Sequence, residues 1–262
     1  MATRPRPTKT STATPDIAGI LVATVQPRIY DSRLSPDGKW RAEVVIYDCA
    51  PVHGLDENAF EQLKLIRVSD GAESVADSQL QYCGGIGAFG LAGLFWSPNS
   101  RYFYYTHARE GVPDGCGYWE RPINRLDATT LHVEPLGGGS LSPDGTKLAT
   151  WYYQDLVVWD INRREIARAP AAALDAEQGP ITWSPNSQAL VYIQFASYCP
   201  LSGKSYVVRL DLPKLQQTLL LESETPSFGS ANWETLGELR LFDENGKEWW
   251  YSFATEELKP AP

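Results

Sequence analysis

A five-residue motif that returns four times constrains this chain more than any other feature of its sequence. Each copy has an apolar residue, then Ser-Pro, then Asp or Asn, then Gly or Ser. The copies are Leu34-Ser-Pro-Asp-Gly38, Trp96-Ser-Pro-Asn-Ser100, Leu141-Ser-Pro-Asp-Gly145 and Trp183-Ser-Pro-Asn-Ser187. A degenerate fifth copy at Asn232–Leu241 keeps the tryptophan and a turn glycine but lacks Ser-Pro. A recurrence of roughly 40–60 residues indicates a repeat architecture in which each copy is one structural unit.

The motif predicts a tight turn between two β-strands. Proline presets the backbone angle at the first central turn position, and the Asp or Asn side chain accepts hydrogen bonds from nearby backbone N–H groups. Runs rich in β-branched and aromatic residues follow the turns, as in Trp40–Tyr47 and Tyr102–His107. Further strand-like runs, such as Leu63–Val68, complete four antiparallel strands per unit. We therefore predict an all-β chain, a single β-propeller of about five four-stranded blades.

This repeat resembles that of TolB-type β-propellers, which are related to WD-repeat proteins, and the resemblance covers Tyr30–Phe253. Members of that family are usually periplasmic or extracytoplasmic and bind other proteins, so the resemblance implies the same broad role here. The chain departs from TolB in having five repeats instead of six and no preceding α/β domain. The turn motif indicates the fold but gives almost no information about function.

We divide the chain into a disordered Pro/Thr/Ser-rich linker at residues 1–16 and a five-bladed propeller at residues 17–262. The linker sequence, MATRPRPTKTSTATPD, has almost nothing to bury. Propellers usually close by pairing one terminus with the other, which covers sheet edges. We therefore expect Gly19–Val25 to form an N-terminal strand that closes the last blade beside Trp249–Phe253. A tether to a missing N-terminal anchor is a further hypothesis.

Charge and hydropathy argue against two classes of partner. The formal net charge is -9, so the chain as a whole lacks the positive electrostatics that dominate affinity for nucleic acid. No run approaches the roughly 18 apolar residues that a membrane-spanning helix needs. We expect no nucleic-acid partner and no membrane insertion of this segment.

Long insertions are predicted on one face of the propeller. Consecutive strands run in opposite directions, so loops after the second and fourth strands lie opposite the Ser-Pro turns; we call this side the long-loop face. The insertions are 48–61, 79–93, 108–119 and 197–204, and each contains one of the four cysteines. Of the three pairings that four cysteines permit, we prefer Cys49–Cys83 and Cys116–Cys199. Disulfides would indicate an extracytoplasmic compartment, whether periplasmic, cell-surface or secreted.

We predict that the long-loop face is the binding surface, because loops on a rigid scaffold carry most binding residues. The candidate contact residues are His53, Asp56, Tyr82, Phe89, Glu110, Asp114, Tyr118, Trp119 and Tyr198. Most of the aromatic residues inside strand-like runs, such as Trp151–Tyr153, are assigned to the core instead. His107 lies beside a loop and is a weaker candidate, whereas His132 lies in a strand-like run and is assigned a structural role.

Short motifs give no support for a cofactor, a metal site or catalysis. Gly85–Gly90 matches the letters of the dinucleotide fingerprint, but no helix follows to present N–H groups to a phosphate. Ser202–Ser205 resembles the end of a P-loop but lacks the required upstream glycine. The histidines lack metal-ligand spacing, and no Ser or Cys lies in a nucleophile elbow. We therefore predict no cofactor, no metal and no enzyme activity.

Three functions remain open. The favoured one is an extracytoplasmic binding or scaffold propeller that takes a protein partner through the long-loop face. The alternative is a carbohydrate-binding or glycoside-cleaving propeller, because carboxylates such as Asp48 and Glu57 are plentiful in the insertions and glycoside hydrolysis needs two at the right separation. The third is an accessory domain of a larger enzyme. Fold alone does not decide among them.

Overall fold

The computed structural model describes residues 16–52, 55–83, 90–107, 118, 120–198 and 201–261. Within these ranges the chain forms twenty β-strands and one short α-helix. The strands form five sheets of four, and neighbouring strands in each sheet are antiparallel. Every sheet consists of four consecutive strands, which confirms the prediction of five four-stranded blades.

The blades are numbered 1 to 5 in chain order. Blade 1 contains β1 (Pro27–Leu34), β2 (Trp40–Val52), β3 (Leu55–Arg67) and β4 (Glu73–Tyr82). Blade 2 contains β5 (Leu91–Trp96), β6 (Tyr102–His107), β7 (Pro122–Asp127) and β8 (Val133–Gly138). Blade 3 contains β9 (Ser140–Leu141), β10 (Lys147–Tyr152), β11 (Asp155–Asp160) and β12 (Glu165–Pro170). Blade 4 contains β13 (Glu177–Trp183), β14 (Ala189–Tyr198), β15 (Leu201–Asp211) and β16 (Gln216–Ser223). Blade 5 contains β17 (Phe228–Thr235), β18 (Glu238–Asp243), β19 (Glu248–Ser252) and β20 (Glu257–Pro260).

The Ser-Pro motif forms the predicted turn between the first and second strands of a blade. In blade 1 the Ser35 hydroxyl donates to Asp37 Oδ1 at 2.7 Å and accepts from the Trp40 N–H at 3.0 Å. The Lys39 N–H also donates to Asp37 Oδ1, at 3.1 Å. The turns of blades 2, 3 and 4 repeat these bonds with their own Ser and Asn or Asp. The motif therefore ends one strand and starts the next by satisfying backbone groups locally.

Serines at the end of the second and fourth turns join neighbouring blades. Ser100 and Ser187 have φ of 59° and 57°, in the left-handed region that disfavours residues other than glycine. The Ser100 hydroxyl accepts a hydrogen bond from the Asp37 N–H of blade 1 at 3.0 Å. The Ser187 hydroxyl accepts one from the Asp144 N–H of blade 3 at 3.1 Å. The strained serines thus bond blade 1 to blade 2 and blade 3 to blade 4.

The junction between blades 2 and 3 is built differently. The Tyr104 hydroxyl donates to the Gly145 carbonyl oxygen at 3.1 Å. A Cβ on Gly145 would lie 2.6 Å from that hydroxyl oxygen, and the residue has a φ of +70°. The contact with Tyr104 therefore leaves no room for a side chain at the end of the third turn, and the positive φ also favours glycine there.

Apolar side chains fill the spaces between consecutive blades. Successive residues of a strand point to opposite faces of its sheet. Blades 2, 3 and 4 each lie between two other blades, so they need apolar residues on both faces. Buried clusters lie between blades 1 and 2, 2 and 3, 3 and 4, and 4 and 5, and they are centred on Phe103, Tyr104, Tyr192 and Leu241, respectively. The first strands of blades 2 to 5 line one common cavity, so these blades surround an axis.

The run predicted to be an N-terminal strand is an α-helix, α1 (Ile17–Thr24). The Asp16 side chain accepts a hydrogen bond from the Gly19 N–H at 3.0 Å and thereby caps the helix. Leu21 is fully buried, and it packs with Val45 on blade 1. The helix satisfies its own backbone groups while it covers an apolar part of the first blade.

Blade 5 takes all four of its strands from its own segment of the chain. Its outermost strand, β20, pairs with β19, and Trp249 lies opposite Pro260. The predicted closure of the last blade by Gly19–Val25 beside Trp249–Phe253 is therefore wrong. The position expected for an N-terminal strand is occupied by β20, and the apolar N-terminal run packs on blade 1 as a helix.

Residues 1–15 of the predicted linker lie outside the described residues, so the linker stays a prediction. Asp16, which we placed in the linker, is the N-cap of α1. Among the described residues, no helix has the length and apolar character required to cross a bilayer.

Candidate binding surface

A disulfide fixes part of the long-loop face. Cys49 lies in β2 and Cys83 follows β4, and their sulfurs are bonded with the Cα atoms 6.0 Å apart. This confirms the predicted Cys49–Cys83 pairing and places the end of β2 beside the exit from blade 1. The second predicted bridge, Cys116–Cys199, lies outside the described residues.

Two insertions that we predicted to be loops are extended hairpins. β2 and β3 continue as paired strands to Val52 and Leu55. β14 and β15 continue to Tyr198 and Leu201. The loop prediction is wrong at these two places because pairing across the hairpin satisfies the backbone N–H and C=O groups of each extension. The hairpins therefore project from the long-loop face as β-ribbons.

The nine predicted contact residues fall into three groups. The first group, His53, Phe89, Glu110, Asp114 and Trp119, lies outside the described residues. The second group, Asp56, Tyr82 and Tyr198, lies in β3, β4 and β14 rather than in loops, at the ends of these strands that reach the long-loop face. The last, Tyr118, lies just before β7 and lines a cavity.

The cavity beside Tyr118 lies on the long-loop face and has a volume of about 330 Å³. Its other lining residues come from the β10–β11 hairpin, the connection between blades 3 and 4, and the end of β14: Gln154, Ala171, Ala176, Glu177, Gln178 and Gln194. Amide groups and one carboxylate make this lining polar. It suits a ligand that offers hydrogen-bond donors and acceptors rather than a purely apolar one.

Buried polar side chains order the connections between blades on this face. Glu61 Oε2 accepts a hydrogen bond from the Leu91 N–H at 2.6 Å, at the entry to blade 2. Gln194 Oε1 accepts one from the Ala172 N–H at 2.8 Å, in the connection to blade 4. Both acceptors are themselves buried. Polar residues in these positions fix backbone that would otherwise be left without partners.

Glu120 performs the same task between blades 2 and 3. Its Oε1 accepts a hydrogen bond from the Trp151 N–H at 2.7 Å, and its other oxygen accepts one from the Thr150 hydroxyl. Burial raises the pKa of the Glu120 carboxyl above its usual range, although these hydrogen bonds oppose the shift. Glu120 thus ties the segment that follows Tyr118 to the strand that ends in Tyr152.

Two strongly exposed aromatic residues, among those described on this face, lie in the β10–β11 hairpin. Tyr153 is 82% exposed and Tyr152 is 53% exposed, and their rings meet edge to face with centroids 4.9 Å apart. Leu174, in the neighbouring connection, is also exposed. We assigned Trp151–Tyr153 to the core, and this is wrong for the two tyrosines because β10 ends at Tyr152. The hairpin turn contains no Gly, Pro or Asn, so the sequence carried no turn signal there.

Tyr153 has an unusual backbone conformation for a bulky residue. Its φ is +54°, in the left-handed region. Six other non-glycine residues among those described share a positive φ, and all lie in turns on the Ser-Pro side: Ser100, Leu131, Arg163, Ser187, Leu215 and Glu256. Within the described residues, Tyr153 is thus the one strained non-glycine position on the long-loop face.

A polar triad joins blades 1 and 2 close to the same face. Asp77 Oδ2 accepts hydrogen bonds from the Tyr105 hydroxyl at 2.6 Å and lies 2.8 Å from His107 Nδ1. Partial burial raises the pKa of Asp77, but the hydrogen bonds from His107 and Tyr105 outweigh it and hold this pKa below its usual range. Burial and the bond to Asp77 raise the pKa of Tyr105. The weaker candidate His107 therefore has one ring nitrogen engaged in an inter-blade contact.

Comparison with solved structures supports the fold. The dipeptidyl peptidase 4 of Porphyromonas gingivalis aligns over 93% of this chain and 41% of its own, with a TM-score of 0.53 at 8% sequence identity. This chain has the β-propeller fold. An identity that low shows the fold alone, so the activity of the peptidase is not transferred.

Two other solved structures align with TM-scores below 0.5. The tricorn protease gives 0.47 at 9% identity, over 90% of this chain and 26% of its own. TolB from Acinetobacter baumannii gives 0.41 at 17% identity, over 84% of this chain and 52% of its own. The propeller thus spans about half or less of the length of each of these three proteins. No protein-family model and no curated protein sequence matches the chain.

Proposed function

We propose that this protein is an extracytoplasmic binding propeller whose long-loop face takes a protein partner, with Tyr153 as an anchor of the contact. Tyrosine is enriched among the residues that dominate binding energy at protein interfaces. Here two tyrosines and Leu174 stand exposed beside a polar cavity, so an apolar centre lies next to hydrogen-bonding groups. This combination resembles the core and rim of a protein–protein interface.

The observation that carries the proposal is the strained backbone of an exposed residue. A left-handed backbone costs a residue other than glycine roughly 1 kcal/mol. The two-residue turn after Tyr152 accepts glycine with less strain. Tyr153 is too exposed for its ring to offset this cost by burial in the core. Strain of this kind concentrates at functional sites, which favours a role for the Tyr153 side chain in solvent.

The Cys49–Cys83 disulfide supports the extracytoplasmic part of the proposal. Structural disulfides persist in oxidising compartments and are rare in the cytosol. The bridge also ties the β2–β3 ribbon to the exit from blade 1. A face that is ordered before a partner arrives loses less conformational entropy on binding.

Carbohydrate binding is the second candidate, and the composition of the cavity favours it. Gln154, which follows Tyr153 in the turn, offers an amide group, and Gln178 Nε2 donates to the Tyr153 carbonyl oxygen and so holds the turn beside the cavity. Sugars are recognised by hydrogen bonds to their hydroxyls together with packing on an aromatic ring. A protein partner remains the first candidate because the exposed surface extends beyond the cavity to Tyr152 and Leu174.

The test uses Tyr153→Gly, which removes the ring and relieves the strain, and Leu215→Gly as a matched control. Leu215 is also exposed and also has a positive φ of 50°, but it lies on the Ser-Pro side. Immobilised wild type and both variants are cross-linked in an extracytoplasmic extract of the source organism, and the cross-linked residues are mapped by mass spectrometry. A glycan array is screened with the same three proteins.

We expect a partner whose cross-links map to the long-loop face and whose affinity falls at least tenfold in Tyr153→Gly, since a hot-spot tyrosine contributes about 2 kcal/mol. Leu215→Gly should bind as wild type does. Glycan binding that requires Tyr153, without a protein partner, would establish the second candidate instead. Cross-links confined to the Ser-Pro side would overturn the protein-partner proposal, and equal binding by all three proteins in both assays would overturn both candidates.

A further inference from the structure

A cavity of about 370 Å³ lies between blades 2 and 3. Leu148, Thr150 and Trp159 line it from one face of blade 3, since the first and last of these are opposite each other across β10 and β11. Residues 136–138 of β8 line it from blade 2. The turn between β11 and β12, on the Ser-Pro side, completes the lining with Asp160, Ile161 and Arg163.

Glycine in β8 leaves this space unfilled. Leu136 and Leu148 belong to the buried cluster between blades 2 and 3, and Ile161 packs against that cluster. The next residue of β8, Gly137, has no side chain to continue the contact, although a Cβ there would come no closer than 3.8 Å to Leu148. Together with Trp159, these side chains and the glycine backbone form walls that suit the apolar body of a small ligand.

The Arg163 side chain extends from the β11–β12 turn of blade 3 to β8 of blade 2. Its Nη2 donates to the Pro135 carbonyl oxygen at 2.8 Å, and Pro135 directly precedes the lining residue Leu136. This bond places the guanidinium at the wall of the cavity that blade 2 provides. A guanidinium has five N–H groups, and the bond to Pro135 uses one of them.

Arg163 has no ion-pair partner among the described residues. Ten other arginines in the described part of the chain form ion pairs with Asp or Glu. The chain has 32 Asp and Glu residues against 23 Lys and Arg residues, so carboxylates are abundant. A guanidinium that lacks a carboxylate at the wall of an apolar cavity points to an anionic group on a ligand.

Asp160, the other charged residue of the lining, already has its partners. Its Oδ1 accepts hydrogen bonds from the N–H groups of Asn162 and Arg164, both at 2.9 Å. Its Oδ2 lies 3.2 Å from Arg164 Nε. Because Arg164 neutralises this carboxylate, the charge that remains for a ligand is the positive charge of Arg163.

We propose that this cavity binds a small ionised carboxylic acid that has an aromatic or branched aliphatic body. The body packs among Leu136, Leu148 and Trp159, and the carboxylate accepts hydrogen bonds from the remaining N–H groups of Arg163. Guanidinium and carboxylate match in geometry, and charge-assisted hydrogen bonds are stronger than neutral ones. An anion without a body would gain only a solvent-exposed ion pair, which contributes little. The site lies on the Ser-Pro side and is independent of the binding surface around Tyr153.

The test titrates the ¹⁵N-labelled protein and follows its indole N–H signals, with Trp159→Phe to identify the Trp159 signal. The probes are 3-phenylpropionate, its uncharged analogue 3-phenylpropionamide, and acetate, which has the charge without the body. A tripeptide that ends in phenylalanine with a free carboxylate presents the same groups at the end of a chain.

Two variants separate the charge of Arg163 from its bond to blade 2. Arg163→Gln removes the charge but keeps an N–H donor for the Pro135 carbonyl oxygen. Arg67→Gln is the matched control, because Arg67 ends β3 at the equivalent turn of blade 1 and does not line the cavity. Titration of the wild type at low and high salt measures the charge contribution without any variant.

We expect 3-phenylpropionate to shift the Trp159 indole signal saturably and to bind at least about fivefold more tightly than 3-phenylpropionamide, with no saturation by acetate. Salt should weaken binding of the acid and leave binding of the amide unchanged. The preference for the acid should vanish in Arg163→Gln and persist in Arg67→Gln. Tighter binding of the tripeptide than of 3-phenylpropionate would identify a chain terminus as the source of the carboxylate, and weaker binding would identify a free acid.

Three results would overturn the proposal. The first is equal affinity of the wild type for the acid and the amide. The second is a preference for the acid that survives in Arg163→Gln or is insensitive to salt. The third is a titration in which no probe saturates, or in which the Trp159 signal stays unchanged while others shift.

Discussion

Replacement of Ser187 separates a hydrogen bond from the backbone strain that accompanies it. The Ser187 hydroxyl accepts from the Asp144 N–H at 3.1 Å and is 1% exposed, so Ser187→Ala removes the bond and keeps the left-handed backbone. Loss of a bond from a partly buried N–H costs about 1–2 kcal/mol. Ser187→Gly loses the same bond, but it relieves roughly 1 kcal/mol of backbone strain. Glycine also makes the unfolded chain more flexible, which offsets about 0.5 kcal/mol of that gain.

We therefore expect Ser187→Ala to destabilise the protein more than Ser187→Gly does, by about 0.5–1 kcal/mol. Urea unfolding followed by tryptophan fluorescence measures both changes, and Tm should move by about 2–4 °C per kcal/mol for a domain of this size. Ser100 provides the matched control, because its partner Asp37 is exposed and water can replace the lost bond. Ser100→Ala should thus cost less than Ser187→Ala. Equal costs for Ala and Gly at position 187, or no cost for either, would refute this account of the strained serine.

Two further predictions concern the disulfide and one turn carboxylate. The double variant Cys49→Ser/Cys83→Ser should lose about 3–4 kcal/mol of stability in urea unfolding, because the bridge closes a sequence separation of 34 residues; a loss under about 1 kcal/mol would contradict this. Burial raises the pKa of Asp144, but hydrogen bonds from Ser142 and Thr146 outweigh it and lower this pKa to about 2. The contribution of the Asp144 carboxylate to stability is therefore present above pH ~4 and is lost as the pH falls towards 2. Asp144→Asn should flatten the pH dependence of Tm in that interval and keep the turn, and an unchanged profile would count against the role of this carboxylate.

The blades could be predicted because local and long-range signals agree at the Ser-Pro turns. Ser35 and Asp37 satisfy the turn backbone by themselves, so the motif has the same structure wherever it occurs. Strand direction placed all four cysteines on one face, and we preferred the Cys49–Cys83 pairing because it links the insertion of blade 1 to the adjacent connection between blades. These features depend on contacts between residues close in sequence and on the alternating direction of consecutive strands. Both can be read directly from a sequence.

Other features depend on choices that the sequence leaves open. The run Ile17–Thr24 is apolar at nearly every position, so neither the period of a strand nor that of a helix distinguishes the two, and packing against blade 1 decides. β20 was missed because Glu257–Pro260 has only four residues, two of them charged, and ends in proline. Tyr153 was assigned to a buried strand because a turn without glycine gives no warning, and only coordinates reveal its φ.

The alternation of turn types has a consequence for how such a chain can grow or be rebuilt. The hydroxyls of Ser100 and Ser187 and the indole N–H groups of Trp96 and Trp183 form hydrogen bonds between blades. All of these bonds join blade 2 to blade 1 or blade 4 to blade 3, so the repeating unit that contains both donor and acceptor is a pair of blades. Gene duplication, or a designer's insertion, preserves these bonds when it moves two blades together. A single added blade brings a donor without its acceptor, and the Trp233 Nε1–H of the fifth blade accordingly has no acceptor among the described residues.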